Sequence, residues 1–245
     1  MSADAASQDA VPPGPTAAHG IPLSDALLTH VLRFNLFPAQ YADPGWLREA
    51  GLWLEGSDKP GATTCPFWTR RLSERLLDAL ELDRLPDFDF LDHGKRLALL
   101  DSPLIAHLAR LAAAILVRDA LRTVVHGPDV ALLREVVGAD AHHAALAWKH
   151  PLPKLPQAFA RFSLQTLDQA AWAQRTAALA RAAIPPGANG VIIRLGLRFP
   201  VDHWPGTTPS REQRLQEHQR QALVDLFKRL IGEHTPAWNW LFDAQ

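Results

Sequence analysis

Two prolines and four aromatic residues fall within the segment Leu32-Arg33-Phe34-Asn35-Leu36-Phe37-Pro38-Ala39-Gln40-Tyr41-Ala42-Asp43-Pro44-Gly45-Trp46-Leu47. No other stretch restricts the backbone as strongly. Pro38 and Pro44 lack an N–H and fix φ, so the segment can neither prolong a helix regularly nor occupy a central strand. It has to turn. Phe34, Phe37, Tyr41 and Trp46 must then find apolar surface, with a partner for each polar ring atom. The segment carries no nucleophile, no histidine and no metal-ligand spacing. Phe34, Phe37, Pro38, Tyr41 and Trp46 are therefore expected to brace the N-terminal part of the fold, with partner contact as their second possible use.

The remaining composition narrows the class. A chain of 245 residues that is 47% apolar can bury a sizeable core and is not disordered throughout. A formal net charge of −1 leaves no basic footprint for nucleic acid. Cys65 is the only cysteine, which excludes an intramolecular disulfide and a multi-cysteine zinc site and favours a reducing compartment. Residues 1–20, rich in Ala, Pro, Gly, Asp and Ser, lack the basic and apolar regions of a signal peptide and are expected to form a disordered leader. The most apolar run, Leu108 to Val125, is broken by Arg110, Arg118, Asp119 and Arg122, so it suits a buried helix and not a membrane span. A soluble, cytoplasmic protein is expected.

Helical periodicity dominates after the leader. Ser24 is placed to cap a helix from Asp25 to Leu36, and a second runs from about Pro66 to Leu82 with Leu72, Leu76, Leu77 and Leu80 as its stripe. Ser102-Pro103 predicts a helix start, with the helix continuing to Val125 and Gly127-Pro128 as its stop. Further helices are expected from Asp129 to Gly138, from Ala139 to Trp148, from Ser163 to Ala183, and from Ser210, where Gln213 completes a capping-box pattern. One segment departs from this period. Val191, Ile193, Leu195, Leu197 and Phe199 alternate with Ile192, Arg194, Gly196 and Arg198, which predicts a strand over residues 191–199 ended by Pro200. The expected fold is thus mainly α with a small β component. Residues 21–245 form a single compact helical domain, or two sub-lobes meeting near residues 150–162.

Candidate chemistry is sparse. Asp140, His142, His143 and His150 are the best metal set, but adjacent helical residues point about 100° apart and no third ligand falls at helical spacing, so solvent-facing histidines are expected. No nucleophile elbow, phosphate loop or dinucleotide fingerprint occurs. Gly187-Ala188-Asn189-Gly190 precedes the expected strand, whereas a phosphate cradle should open a helix. Cys65 at a helix start could be activated, although inert packing is the commoner role. Arg194 and Arg198 share one face of the expected strand, as a solvated outer face or as guanidinium forks for an acidic partner. Trp238 and Trp240 could anchor a partner or dock into the core. Neither catalytic residues nor metal or other cofactors are assigned. Two other classes remain as alternatives. A small-ligand protein or enzyme would use a pocket near the central helices, with His126, His143 and Cys65 as candidates. Nucleic-acid contact through Arg211, Arg214 and Arg220 is disfavoured by Glu212 and Glu217.

Four ordered blocks together resemble the type III secretion K subunits (the SctK, YscK or PscK family). They are Leu32-Arg33-Phe34 through Pro38-Ala39, Tyr41 and Pro44 to Trp46-Leu47; Val125-His126-Gly127 with Leu132-Leu133-Arg134; Ile193-Arg194-Leu195-Gly196-Leu197-Arg198-Phe199-Pro200; and a C-terminal amphipathic helix with Leu241-Phe242. The likeness spans residues 25–242, with Asp43 where the family pattern has a histidine. It implies a non-enzymatic cytoplasmic adaptor at the cytoplasmic face of the inner membrane. Its implied partners are an SctD-type inner-membrane ring protein and an SctQ-type pod protein, and through the latter SctL and the SctN ATPase. No nucleic acid and no direct membrane insertion are implied.

Overall fold

The computed structural model describes residues 24–52, 66–206, 209–210 and 213–243. The leader expected over residues 1–20 and Cys65 lie outside them. Among the described residues there are thirteen α-helices and no strand.

Ser24 caps α1 (Asp25–Leu36), its Oγ accepting the Leu27 N–H at 3.3 Å, and α1 turns Leu27, Val31, Phe34 and Asn35 inward. A single 3-10 turn at Pro38–Gln40 then leads into α2 (Pro44–Glu49). Asp43 caps α2 through Oδ1, which accepts the Gly45 N–H at 2.8 Å, so a carboxylate suits this position for a local reason. α3 (Pro66–Ala79) returns along the corner, where Ser73 Oγ accepts the Ala39 N–H at 3.2 Å.

The centre of the molecule is α5 (Ser102–Leu116), followed by α6 (Arg118–Thr123), α7 (Gly127–Val137) and α8 (Ala139–Ala147). Ile105, Leu108, Leu111 and Ile115 give α5 its apolar face, while Ala109 and Ala112 to Ala114 let neighbouring helices approach closely. It packs against α8, α10 (Gln169–Ala182) and α12 (Glu217–His234). The helix predicted to continue to Val125 instead breaks at Val117, and Arg118 donates to the carbonyls of Trp148 (3.1 Å) and His150 (2.9 Å). Gly138 joins α7 to α8 with φ at +98°, a conformation that favours glycine. Short α9 (Gln157–Ala160) lays buried Phe159 near α5.

Residues 191–196 of the strand predicted over 191–199 lie instead in helix α11 (Asn189–Gly196). A two-residue period marks a strand only when one face meets solvent and the other the core. Here both sets are inside: Val191, Leu195, Leu197 and Phe199 are buried, and so are Ile192, Arg194 and Arg198. Segregation by side is lost when an element is enclosed all round, so the alternation carried no information about the backbone.

The chain end closes the core. Asp92 caps α4 (His93–Leu97) and also accepts Arg220 of α12 in a fork, at 3.1 and 2.8 Å. Arg96 donates to the carbonyls of Phe90 (2.7 Å) and Leu241 (2.9 Å), which seats α13 (Trp240–Asp243) on α4. Among the described residues no helix is long and apolar enough to cross a membrane.

Candidate functional site

The aromatic corner and the segment after α11 are built against each other. Phe34 and Tyr41 are buried and stacked, with ring centroids 5.7 Å apart, and Phe90 meets Phe34 edge-on at 5.8 Å. The Tyr41 hydroxyl donates to the Phe34 carbonyl at 2.7 Å. That carbonyl's usual helical donor would be the N–H of residue 38, which is proline, so the hydroxyl supplies the missing bond. Burial pushes the Tyr41 phenol above its ordinary range. Trp46, half-buried, donates from Nε1 to the Phe199 carbonyl at 3.0 Å, and the Asp43 N–H donates to Leu197 O at 2.6 Å. Pro38 is buried and Phe37 half-buried. Two blocks some 150 residues apart in sequence thus form one structural unit.

Arg194 and Arg198 lie inside this unit. Arg194, 1% exposed, donates to the carbonyls of Leu85 (2.7 Å), Leu82 (2.9 Å) and Gly190 (3.2 Å). Gly190 is required there, because a Cβ would overlap the Leu85 carbonyl oxygen. The Arg198 guanidinium stands 4.2 Å from the Tyr41 ring centroid and 5.8 Å from that of Phe34, and donates to Ser102 Oγ at 3.5 Å. Burial pulls its pKa down to about 10, which still leaves it charged at neutral pH. The strand expectation put these arginines on a sheet surface; instead Arg194 points inward from α11 and Arg198 from the turn after it, where their Nη groups meet backbone carbonyls and a hydroxyl and the Arg198 guanidinium lies against ring faces.

Trp238 and Trp240 are half-buried at the chain end and stack on each other at 6.1 Å. His30 of α1 meets both rings, at 5.5 and 5.4 Å, and its burial lowers the imidazole pKa. This cluster ties the first helix to the last turns. Other large apolar groups stay in solvent: Phe67 and Trp68 on α3 touch edge-on at 5.9 Å and are 61% and 49% exposed, and Leu32 and Leu36 lie on the outer side of α1.

The titratable candidates disperse. His142 is buried, not solvent-facing, because it shares the inner side of α8 with Ala141 and Ala145; His143 is exposed. Asp140 meets Arg110 at 3.1 Å and His107 at 3.3 Å, whereas His150 faces Glu233 at 3.3 Å. Among the described residues no three His, Cys, Asp or Glu side chains are grouped to hold a metal ion. His126 is exposed beside Asp129 at 3.5 Å.

Sequence reasoning passed over a cleft of about 460 Å³ at the start of α11, lined by Arg181, Asn189, Ile192 and Arg214 among others. The signal was present in Gly187-Ala188-Asn189-Gly190. That segment opens a helix, contrary to the expectation that it precedes a strand.

A family model described as "YOP proteins translocation protein K (YscK)" matches residues 26–243. Comparison with curated proteins and with solved structures gives no match.

Proposed function

Since the chain belongs to the YscK family of type III secretion proteins, we propose that it is a non-enzymatic cytoplasmic adaptor of the secretion sorting platform. It links the cytoplasmic domain of an SctD-type inner-membrane ring protein to an SctQ-type pod protein, and through that protein connects to SctL and the SctN ATPase. It works at the cytoplasmic face of the inner membrane and is required for secretion. The family match along residues 26–243 carries this reading.

Two physical features support it. The helices lock through buried arginine–carbonyl bonds and the Asp92–Arg220 fork, which suits a rigid spacer between two partners. Exposed aromatic pairs such as Phe67 and Trp68 offer the kind of anchor that dominates protein interfaces.

The test is co-elution of the purified full chain with each partner on size-exclusion chromatography. A complex with the SctQ-type protein and a complex with the SctD cytoplasmic domain are expected. If neither forms, the adaptor reading fails.

A further inference from the structure

The cleft of about 460 Å³ lies between the end of α10, the start of α11 and the segment leading into α12. Among the described residues no Asp or Glu lines it, whereas three arginines do. Arg220 is already neutralised by Asp92 and Glu217. Arg181 is not. Its side chain is 3% exposed, Nη1 donates to the Gly206 carbonyl at 2.9 Å, and Nη2 is buried without a partner. A buried guanidinium without a carboxylate is a costly arrangement in a folded chain. Arg214 stands exposed at the rim and, among the described residues, makes no ion pair. The start of α11 adds a third positive element: Ala188 at its N-cap offers no side-chain acceptor, so the first-turn N–H groups lack a side-chain cap. Between these groups, Ile184, Ile192 and Leu215 supply apolar lining.

We propose that this cleft docks an acidic, apolar segment of a partner protein, with a carboxylate neutralised by Arg181 and Arg214 and an adjacent apolar side chain seated on Ile184, Ile192 and Leu215. Charge complementarity selects this occupant: the described lining offers the unpaired cations Arg181 and Arg214 at the uncapped start of α11, beside apolar surface, and no carboxylate is among the described lining residues. The site goes beyond the adaptor reading and does not depend on which apparatus component supplies the segment.

The test is fluorescence anisotropy of the purified full chain with a labelled acetyl-LDLEL-amide peptide and its neutral isostere acetyl-LNLQL-amide. Saturable binding of the acidic peptide is expected, with the isostere weaker by about tenfold or more. Arg214→Gln, an exposed change whose fold is checked by circular dichroism, should weaken the acidic peptide at least about threefold. Leu215→Ala should weaken both peptides. Equal binding of the two peptides, no binding of the acidic one, an unchanged affinity in Arg214→Gln, or binding only to phosphatidylglycerol vesicles would each overturn the proposal. Because the assay uses this chain alone, its failure leaves the co-elution result of the adaptor test standing.

Discussion

Replacing Tyr41 by phenylalanine removes one hydroxyl from the centre of the aromatic corner and leaves every ring contact in place. The hydroxyl donates to the Phe34 carbonyl at 2.7 Å, and Pro38 has no N–H to take over that bond. Tyr41 is 8% exposed and Phe34 1%, so water has little access to the orphaned oxygen. Leaving a buried acceptor unsatisfied costs about 1–3 kcal/mol. For a domain of this length each kcal/mol lowers Tm by about 2–4 °C, so Tyr41→Phe should melt about 2–12 °C below the parent. Tyr41→Ala also removes the ring stacked on Phe34 and lying under Arg198, and should cost about 3–5 kcal/mol. Urea denaturation followed by tryptophan fluorescence measures both, with the slope of the transition unchanged. Co-elution with partners, run well below the lowered Tm, should be retained. A Tyr41→Phe protein as stable as the parent would refute the carbonyl-capping argument, and lost partner binding at unchanged stability would move the corner from bracing to contact.

The other predictions concern the elements packed on that corner. Arg194→Met strands the Leu85 carbonyl and takes the charged donor from that of Leu82, which keeps only the Leu85 N–H at 3.1 Å, and should destabilise the fold by about 2–4 kcal/mol in urea titration; a loss under about 1 kcal/mol would contradict the buried placement. Gly190→Ala drives a methyl into the Leu85 carbonyl and should cost about 1–3 kcal/mol, whereas an unchanged melting temperature would show that α11 does not approach Leu85 so closely. Burial lowers the pKa of His30, His93, His107 and His142 below the ordinary 6.5. The unfolded chain therefore takes up protons that the folded chain refuses, so this stability is complete above about pH 6.5 and declines as pH falls below it. The urea midpoint at about pH 5.5 should lie below that at about pH 7.5, and His142→Gln should flatten the difference; a midpoint that rises on acidification would contradict the sign.

Much of the helical framework was legible. Ser24 before an apolar stripe gave α1 its start, Gly138 marked the α7–α8 joint, and proline with aromatic density forced the corner at 38–44. Boundaries were harder where several polar residues competed as caps. Asp101 precedes α5 where Ser102 was expected, Asp168 caps α10 where Ser163 was expected, and Gln216 with Gln219 forms the capping box expected at Ser210 and Gln213. Each choice is settled by where tertiary packing begins, which local sequence does not encode. The α11 segment misled for a deeper reason. Its arginines looked like a solvated face because charge usually marks the surface, yet the Arg194 Nη groups donate to the Leu82, Leu85 and Gly190 carbonyls inside the protein. Those acceptors come largely from a loop more than a hundred residues away, so no local pattern could reveal them. The same misreading hid the cleft at the start of α11, since an anion-accepting helix end cannot be recognised in a segment taken for a strand.

The adaptor role is tested most directly in cells carrying a fluorescent SctQ-type pod protein, by deleting the gene for this chain. The expected result is that the fluorescent foci at the secretion apparatus disperse into the cytoplasm, secretion stops, and both return when the full chain is resupplied. Foci that persist at normal number and brightness after deletion would contradict the claim that this protein holds the pod to the membrane ring.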